Sequence, residues 1–315
     1  MPNYDMATLV VGGIDYHRFL LIKDYNLIIP LNNRIFYEDI GDWYYSGASV
    51  IERVYDGESQ FGDYCLKITD DNAAAEEYAE YEATFDDTLI GGKFALYFWA
   101  KGNAVSTANI CIVTNLGSYN VDIGLTTLWK PYIVISSSIS GAVNSLVVKF
   151  KPYADSAGVG GTGIIYINNV SLFRIEYDYK LRPATSFNQY WLEEKDADYS
   201  LTNGDQKKYT KGSIYKAELF FDYLEPPEEI VKHKVFAAKK LLFVPHLDYN
   251  WAILCSNDGD MKREYFQDKY IGHTGTINLK GLEILESDPP EFPAGAGGGE
   301  GAGSGVLTMD DVIIA

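Results

Sequence analysis

The chain is short of cysteine, histidine and positive charge, and each shortage closes off a class of function. Its three cysteines are an odd number, and Cys65, Cys111 and Cys255 each sit inside an apolar run, so buried free thiols are expected rather than a disulfide framework or a metal cluster. The four histidines, His17, His233, His246 and His273, are isolated in sequence, and none has metal-ligand spacing. Lys and Arg number 26 against 44 Asp and Glu, a formal charge of -18. Nucleic-acid affinity comes from clustered basic side chains, so no direct nucleic-acid binding is expected. No window approaches the roughly 20 uninterrupted apolar residues of a membrane helix, and Met1–Asp5 has neither a basic n-region nor a following apolar h-region. The expectation is therefore no membrane insertion, no secretion signal, and folding in a reducing cytoplasm.

Apolar and aromatic residues are plentiful, at 47% and 14% of the chain, with 25 Tyr. At 315 residues this suffices for two ordinary domains with full cores, without metal or disulfide staples. The apolar residues fall in short runs separated by Gly, Asn and Asp. Thr8–Val11, Phe19–Ile22 and Leu27–Ile29 come first. Ser49–Tyr55, Tyr64–Thr69, Glu77–Phe85, Lys93–Lys101, Asn109–Thr114, Tyr132–Ser136, Ser145–Phe150 and Gly163–Phe173 follow. Such spacing predicts a sandwich of antiparallel strands rather than a parallel α/β sheet, and helix-length periodicity is missing from this region. After Tyr177 the strands resume over Ser213–Tyr223, Lys240–Pro245, Trp251–Cys255 and Thr274–Leu285. One helix is predicted near residues 227–239: Pro226-Pro227-Glu228-Glu229 opens its first turn, and Ile230, Val231, Val235, Phe236 and Ala238 form its apolar stripe. Residues 289–305 read as a flexible tether of Gly, Pro and Ala. Beyond it, Val306, Leu307, Val312, Ile313 and Ile314 make an apolar arm that either docks on a neighbouring subunit, packs back on its own domain, or stays disordered.

Five segments occur in order within residues 32–176: Asp42-Trp43-Tyr44, Gly62–Thr69, Lys93–Gly102, Trp129-Lys130-Pro131-Tyr132 and Gly163–Leu172. Together they resemble the non-catalytic carbohydrate-binding modules of the jelly-roll type found in secreted glycanases, over nearly half of the chain. Outside that stretch, Val11–Pro30, Ser213–Pro245 and Gly275–Glu283 resemble in layout the β-rich hub domains of tailed-phage distal tail and minor tail proteins. The paired resemblance implies an all-β protein: a jelly-roll β-sandwich (32–176) inserted into a second β-barrel or β-sandwich-like domain with one short helix (1–31 and 177–288), then a linker and C-terminal docking arm (289–315). It also implies a virion structural protein of a phage tail or baseplate, assembled in the host cytoplasm. Such a protein forms a homo-oligomeric ring, contacts other tail or baseplate proteins, and either presents its sandwich to a host cell-surface glycan or cements neighbours with it. A stand-alone carbohydrate-binding adhesin or accessory module is the alternative.

A sugar stacks its C–H face on a flat ring and offers hydroxyls to polar edges. This picks out Trp43, Tyr44 and Tyr45 beside Asp42, and Trp129 with Tyr132; the competing reading packs Trp43 under the sheet. Trp99, inside a strand, is expected in the core. Glu38, Asp39, Asp56 and Glu58 are either hard oxygen ligands for a structural calcium ion or a solvated acidic edge. The modules usually end in Asp-Asp-Val where this chain has Asn168-Asn169-Val170, which removes charge from a calcium site built on Glu38, Asp56 and Asn169. No other cofactor is expected. Gly158–Gly163 spells a dinucleotide fingerprint, yet it precedes a strand instead of opening a helix, so it reads as a loop. Asn169-Val170-Ser171 is a chance match to a glycosylation acceptor. Carboxylates are so abundant that glycosidase-like pairs arise by chance, and no nucleophile elbow or phosphate loop occurs. The chain is expected not to be an enzyme.

Overall fold

The computed structural model describes residues 16–23, 26–28, 31–46, 50–59, 61–70, 78–83, 89–152, 163–195, 199–200, 206–207, 210–245, 251–259 and 273–285. The strand expected over Thr8–Val11, the Gly158–Gly163 loop up to residue 162, and the arm of Val306, Leu307, Val312, Ile313 and Ile314 lie outside these residues. In chain order come β1 (His17–Ile22), α1 (Asn32–Ile35), β2 (Tyr44–Ser46), β3 (Val50–Tyr55), β4 (Tyr64–Asp70), β5 (Tyr78–Ala83), β6 (Leu89–Gly102), β7 (Ser106–Thr114), β8 (Gly117–Leu125) and β9 (Lys130–Ile135). They are followed by β10 (Ile139–Val143), β11 (Leu146–Pro152), β12 (Gly163–Leu181), β13 (Ser186–Lys195), β14 (Tyr199–Ser200), β15 (Gln206–Lys207), β16 (Thr210–Leu224), α2 (Pro226–Ala237), β17 (Leu241–Val244), β18 (Ile253–Asn257) and β19 (His273–Leu285).

The protein is all-β, built from antiparallel sheets. One sheet has five strands in the order β2-β5-β11-β7-β8. The other has 12 strands along the path β10-β6-β12-β1-β17-β18-β19-β16-β13, with β4 on β12, β3 on β4 and β9 on β6. The helix expected at 227–239 is α2, Pro226–Ala237, opened by the Glu228 side chain accepting from the Glu225 N–H at 2.9 Å and seated by buried Val231 and Val235. The one-turn α1 has no counterpart in the sequence reading. It stops where Phe36 turns left-handed, at φ 54°.

Three hydrophobic clusters fill the molecule. The first lies between the five-stranded sheet and the β3, β4, β6, β9 and β12 part of the larger sheet; Trp43, Tyr81, Phe98 and Phe150 are at its centre. The second is enclosed by β1, β16, β17, β18, β19 and α2 around Phe19, Tyr215, Phe221 and Phe243. The third lies between them and takes Leu20 from β1, Ala95, Tyr97 and Trp99 from β6, Phe173 and Ile175 from β12, and Leu242 and Val244 from β17. On β1, Phe19 and Leu21 face the second cluster while Leu20 faces the third; on β6, Phe94, Leu96 and Phe98 face the first while Tyr97 and Trp99 face the third. A strand covered on both faces needs an unbroken apolar run instead of an alternating one. Phe19–Ile22, Phe94–Ala100 and Leu241–Val244 are such runs.

β12 carries the larger sheet through residue 176, where the sequence reading divides its two domains. Its Gly163–Ile167 portion pairs with β4, and its Ile175–Leu181 portion pairs with β1. β1 in turn pairs with β17, Arg18 opposite Val244. A backbone bridge between Tyr132 and Trp251 brings β9 against the segment entering β18, so β9, β6, β12, β1, β17 and β18 make a closed circuit around the third cluster. Arg18 clamps Asp178 through two 2.7 Å hydrogen bonds, and Lys93 of β6 binds the same carboxylate. Burial works against the charge, yet Arg18 and Lys93 hold the Asp178 carboxyl down to about 2.

One half-buried acid closes the far side of this circuit. Glu283 of β19 accepts hydrogen bonds from Tyr97 Oη at 2.5 Å and Trp99 Nε1 at 3.2 Å, and from Asn169 Nδ2. Burial pushes its carboxyl up to about 7, against the pull of those three donors and of the Arg34 charge. Folding therefore takes up a proton between an ordinary carboxylate pKa and about 7, so stability falls as pH rises across that window and is level above it. Urea unfolding from pH 4.5 to 8 is expected to show this loss, on the order of 3 kcal/mol, and Glu283→Gln is expected to remove most of the slope. In the third cluster, Leu20→Ala is expected to destabilise the whole protein by about 2–5 kcal/mol in the same measurement.

Candidate functional site

Strand alternation sorts the five-stranded sheet into two faces. Ala79, Tyr81, Ile110, Ile112, Val148 and Phe150 point into the first cluster, so their neighbours in sequence point outward. The register sets these outward residues in rungs. One rung runs Tyr44, Glu80, Lys149, Cys111, Asn120 across all five strands. In an adjacent rung Ser46 pairs with Tyr78, and Lys151 with Asn109 and then Asp122.

These side chains are tied to one another. Lys149 Nζ donates to Glu80 Oε1 at 3.0 Å, and Tyr44 Oη donates to Glu80 Oε2 at 3.2 Å. Lys149 Nζ also lies 4.9 Å from the Tyr78 ring centre, and Lys151 Nζ 5.9 Å. Asn109 Nδ2 donates to Asp122 Oδ1 at 2.7 Å. Partial burial and the neighbouring Glu80 carboxylate raise the Tyr44 phenol, so it stays a neutral donor. Burial likewise raises the Cys111 thiol, which keeps it protonated and inert. Glu80 and Lys151, at 8% and 7% exposure, lie beneath this face and hold its other groups in place; the Tyr44 and Tyr78 rings, Lys149, Asn109, Asn120 and Asp122 are the groups that reach its surface. That chemistry suits a polyhydroxylated ligand: ring faces take C–H surface and the charged edges take hydroxyls.

The aromatic residues singled out from sequence are distributed differently. Trp43 is 3% exposed; its Nε1 donates to Asn33 O at 2.8 Å, and it packs on Tyr81, Phe150 and Phe36. Trp129, at 4%, belongs to the third cluster. Tyr132, at 7%, stacks on Phe98 at 5.8 Å and donates from Oη to Gly124 O at 3.0 Å. These three are structural, because large rings gain more from burial than a surface platform returns. Tyr44 and Tyr45 are 44% and 60% exposed, but they alternate on β2 and pair with Glu80 and Ala79 respectively, so they do not form one platform. Tyr78, Glu80, Lys149, Lys151, Asn109 and Asp122 escaped the sequence reading. Their only signal was every-second-residue spacing, and that becomes a face only once the cross-strand register is known.

The calcium set does not assemble either. Asp56 is 2.7 Å from Lys101 Nζ in a salt bridge, and Glu58 is 3.2 Å from the same atom. Asp39 accepts from the Gly41 N–H at 2.7 Å, and Asn169 donates its amide to Glu283. Glu38 is exposed. Among the described residues no group of three His, Cys, Asp or Glu side chains is placed to hold a metal ion. At Asn168 an amide occupies the centre of an oxygen cage: Nδ2 lies 2.6 Å from Ser59 Oγ, 2.9 Å from Tyr64 O and 3.3 Å from Phe61 O. Oxygens that would suit a hard cation are here bound by an N–H donor. The cysteines are buried free thiols, with burial pushing Cys65 up to about 12. His17 is fixed between Pro245 O at 2.9 Å and the Ala184 N–H at 3.1 Å. No helix among the described residues is long and apolar enough to cross a membrane.

No protein-family model and no curated protein sequence matches this chain. Among solved structures it is similar to a CBM61 module in complex with beta-1,4-galactotriose, at 16% identity and TM-score 0.34, covering 48% of this chain and 99% of that one. A xylan-binding domain from CBM 22 is similar at 15% identity and TM-score 0.32, covering 50% and 97%. The enzymatically active domain of bacteriophage CBA120 tailspike protein 4 is similar at 20% identity and TM-score 0.35, covering 48% of this chain but 22% of that one. Likenesses this distant carry no functional conclusion.

The Asn168 cage makes a specific expectation. Asn168→Asp sets a carboxylate against three oxygens and is expected to cost about 1–3 kcal/mol in the absence of metal, with millimolar calcium restoring part of the loss. The original chain is expected to melt at the same temperature with calcium or with chelator. A calcium-dependent rise in its melting temperature would show that the amide reading of the cage is wrong.

Proposed function

We propose that the chain binds a glycan along the outer face of its five-stranded sheet and acts without turnover, as a structural component that holds this face on a rigid base. The observation that carries the reading is the rung of Tyr44, Glu80 and Lys149 beside the Tyr78 ring. Aromatic surface and fixed polar groups of both signs stand there on rigid strands, which is the arrangement that sugar recognition needs. The resemblance of residues 32–176 to carbohydrate-binding modules supports the same ligand class.

The finer reading is a virion protein of a phage tail or baseplate, working in a homo-oligomeric ring. Its support is the layout of the second unit and the way the sandwich is attached. A module that searches for ligand swings on a linker, whereas here the sandwich shares strands β12 and β1 and a hydrophobic cluster with the rest. Fixed attachment favours display from an assembled particle over a stand-alone adhesin or an accessory module. Measuring the mass of the assembled species separates these readings: a closed ring supports the first, a monomer at all concentrations the second.

Glycan-array screening followed by calorimetry on the best hit tests the ligand. Tyr78→Ala is expected to weaken binding on the order of tenfold, Glu80→Gln by several-fold, and Trp43→Ala to act only through lost stability. Undiminished affinity in both Tyr78→Ala and Glu80→Gln would refute the face as the site.

A further inference from the structure

We propose that the cleft between the edges of the two sheets, where the β7–β8 turn meets the Ser136–Gly141 segment, is a second binding site, one that takes a single neutral polyhydroxylated unit such as the end residue of a glycan. It uses neither the residues nor the strand face of the site proposed above, so either can fail without the other.

The cleft has a volume of about 380 Å³, at the low end for small-molecule sites and suited to one terminal sugar unit rather than a long chain. None of its lining side chains is charged, in a protein that is 22% Asp, Glu, Lys and Arg. A phosphate, a sulfated sugar or a metal ion has no counter-charge here; a neutral polyol needs none. Ser137, Ser138 and Ser140 line it with exposed hydroxyl side chains. Two further hydroxyls are already committed. Thr114 Oγ1 donates to Gly117 O at 3.1 Å and accepts from the Leu116 N–H at 3.2 Å. Ser136 Oγ accepts from the Phe94 N–H at 2.9 Å and donates to Ser137 O at 2.9 Å. They shape the walls, and the exposed serines are left to meet a ligand. Ser136–Ser138 lie between β9 and β10; the Ser136 N–H donates to Phe94 O at 2.8 Å and Ser137 O accepts from Ser136 Oγ, so this wall of the cleft is anchored to β6.

The walls are held in place. Asn115, in the β7–β8 turn, donates from Nδ2 to Ala142 O at 3.0 Å and accepts on Oδ1 from the Asn144 N–H at 3.0 Å. Its own N–H reaches Ser145 O at 3.3 Å. One side chain therefore staples the turn of one sheet to β10 and to the connection that follows it, and fixes the cleft's width before any ligand arrives. Apolar surface for the C–H face of a ring comes from Tyr119, Ile139 and Leu116, the last 51% exposed. Leu116 lies over Gly141 so closely that a Cβ there would stand 2.6 Å from Leu116 Cδ1. Any larger residue at 141 must push the leucine aside and change the cleft.

Saturation-transfer NMR on the full chain with glucose, galactose, mannose and xylose tests the proposal, with N-acetylneuraminic acid as the charged comparator. At least one neutral sugar is expected to bind saturably in the millimolar range, and the charged one at least tenfold more weakly. Ser138→Trp, at an exposed position, is expected to abolish binding. Gly141→Val is expected to weaken it at least fivefold, and Tyr78→Ala on the sheet face to leave it unchanged. Circular dichroism melting confirms that each variant folds. The proposal is overturned if no neutral sugar saturates by about 50 mM, if the charged sugar binds equally well, or if binding survives both cleft variants. Loss in Tyr78→Ala alone would place the sugar on the sheet face and overturn it as well.

Discussion

Leu20, Tyr97, Trp99, Phe173, Leu242 and Val244 form a hydrophobic cluster that belongs to neither half of the chain, and the rest of the structure depends on it. A sheet strand ordinarily has one face to bury; β1, β6 and β17 have two, so each serves two clusters at once. Separating the sandwich from the second unit would expose one face of all three strands. At about 25 cal/mol for each Å² of apolar surface, a few large side chains laid bare exceed the whole stability margin of a typical domain. Attachment by shared burial makes the two units one body, where a linker would leave them independent.

Both candidate sites inherit their rigidity from that body. The outer face of the five-stranded sheet is a set of alternate residues whose partners point into the first cluster, so its geometry is fixed by packing on the far side. The edge cleft is held by Asn115, which ties the two sheets together at their rim. Glu283 adds an electrostatic condition. A carboxyl with Tyr97, Trp99 and Asn169 as donors is satisfied, and the loss of water around it raises its pKa to about 7. The contact between β19 and the sandwich is thus tighter in acid than at neutral pH.

The fold was legible in the sequence wherever burial is one-sided or complete. Alternating runs such as Tyr64–Thr69 and unbroken ones such as Leu241–Val244 marked strands, and Pro226-Pro227-Glu228-Glu229 marked the start of α2 within one residue. The sites were much less legible. Tryptophan and tyrosine attract attention as sugar platforms, but Trp43, Trp129 and Tyr132 are also the rings whose burial gains most, and core packing took them. Tyr78 and Lys149 are 71 positions apart, and only the register of β5 with β11 joins them. Asn168 and Asn169 stood out as substitutions that remove charge. Their positive consequence, one amide at the centre of an oxygen cage and the other binding Glu283, needed partners from distant strands. Cross-strand register is a long-range property, and a single sequence does not encode it in any local pattern.

Native-state hydrogen exchange tests the shared cluster most directly. If the two units are one body, the amides of Phe19–Leu21, Ala95–Trp99 and Leu241–Phe243 exchange only through global opening, with equal free energies and equal dependence on denaturant. If the sandwich strand Ala95–Trp99 exchanges through an opening of its own while Leu241–Phe243 stays protected, the units are independent and the account is contradicted.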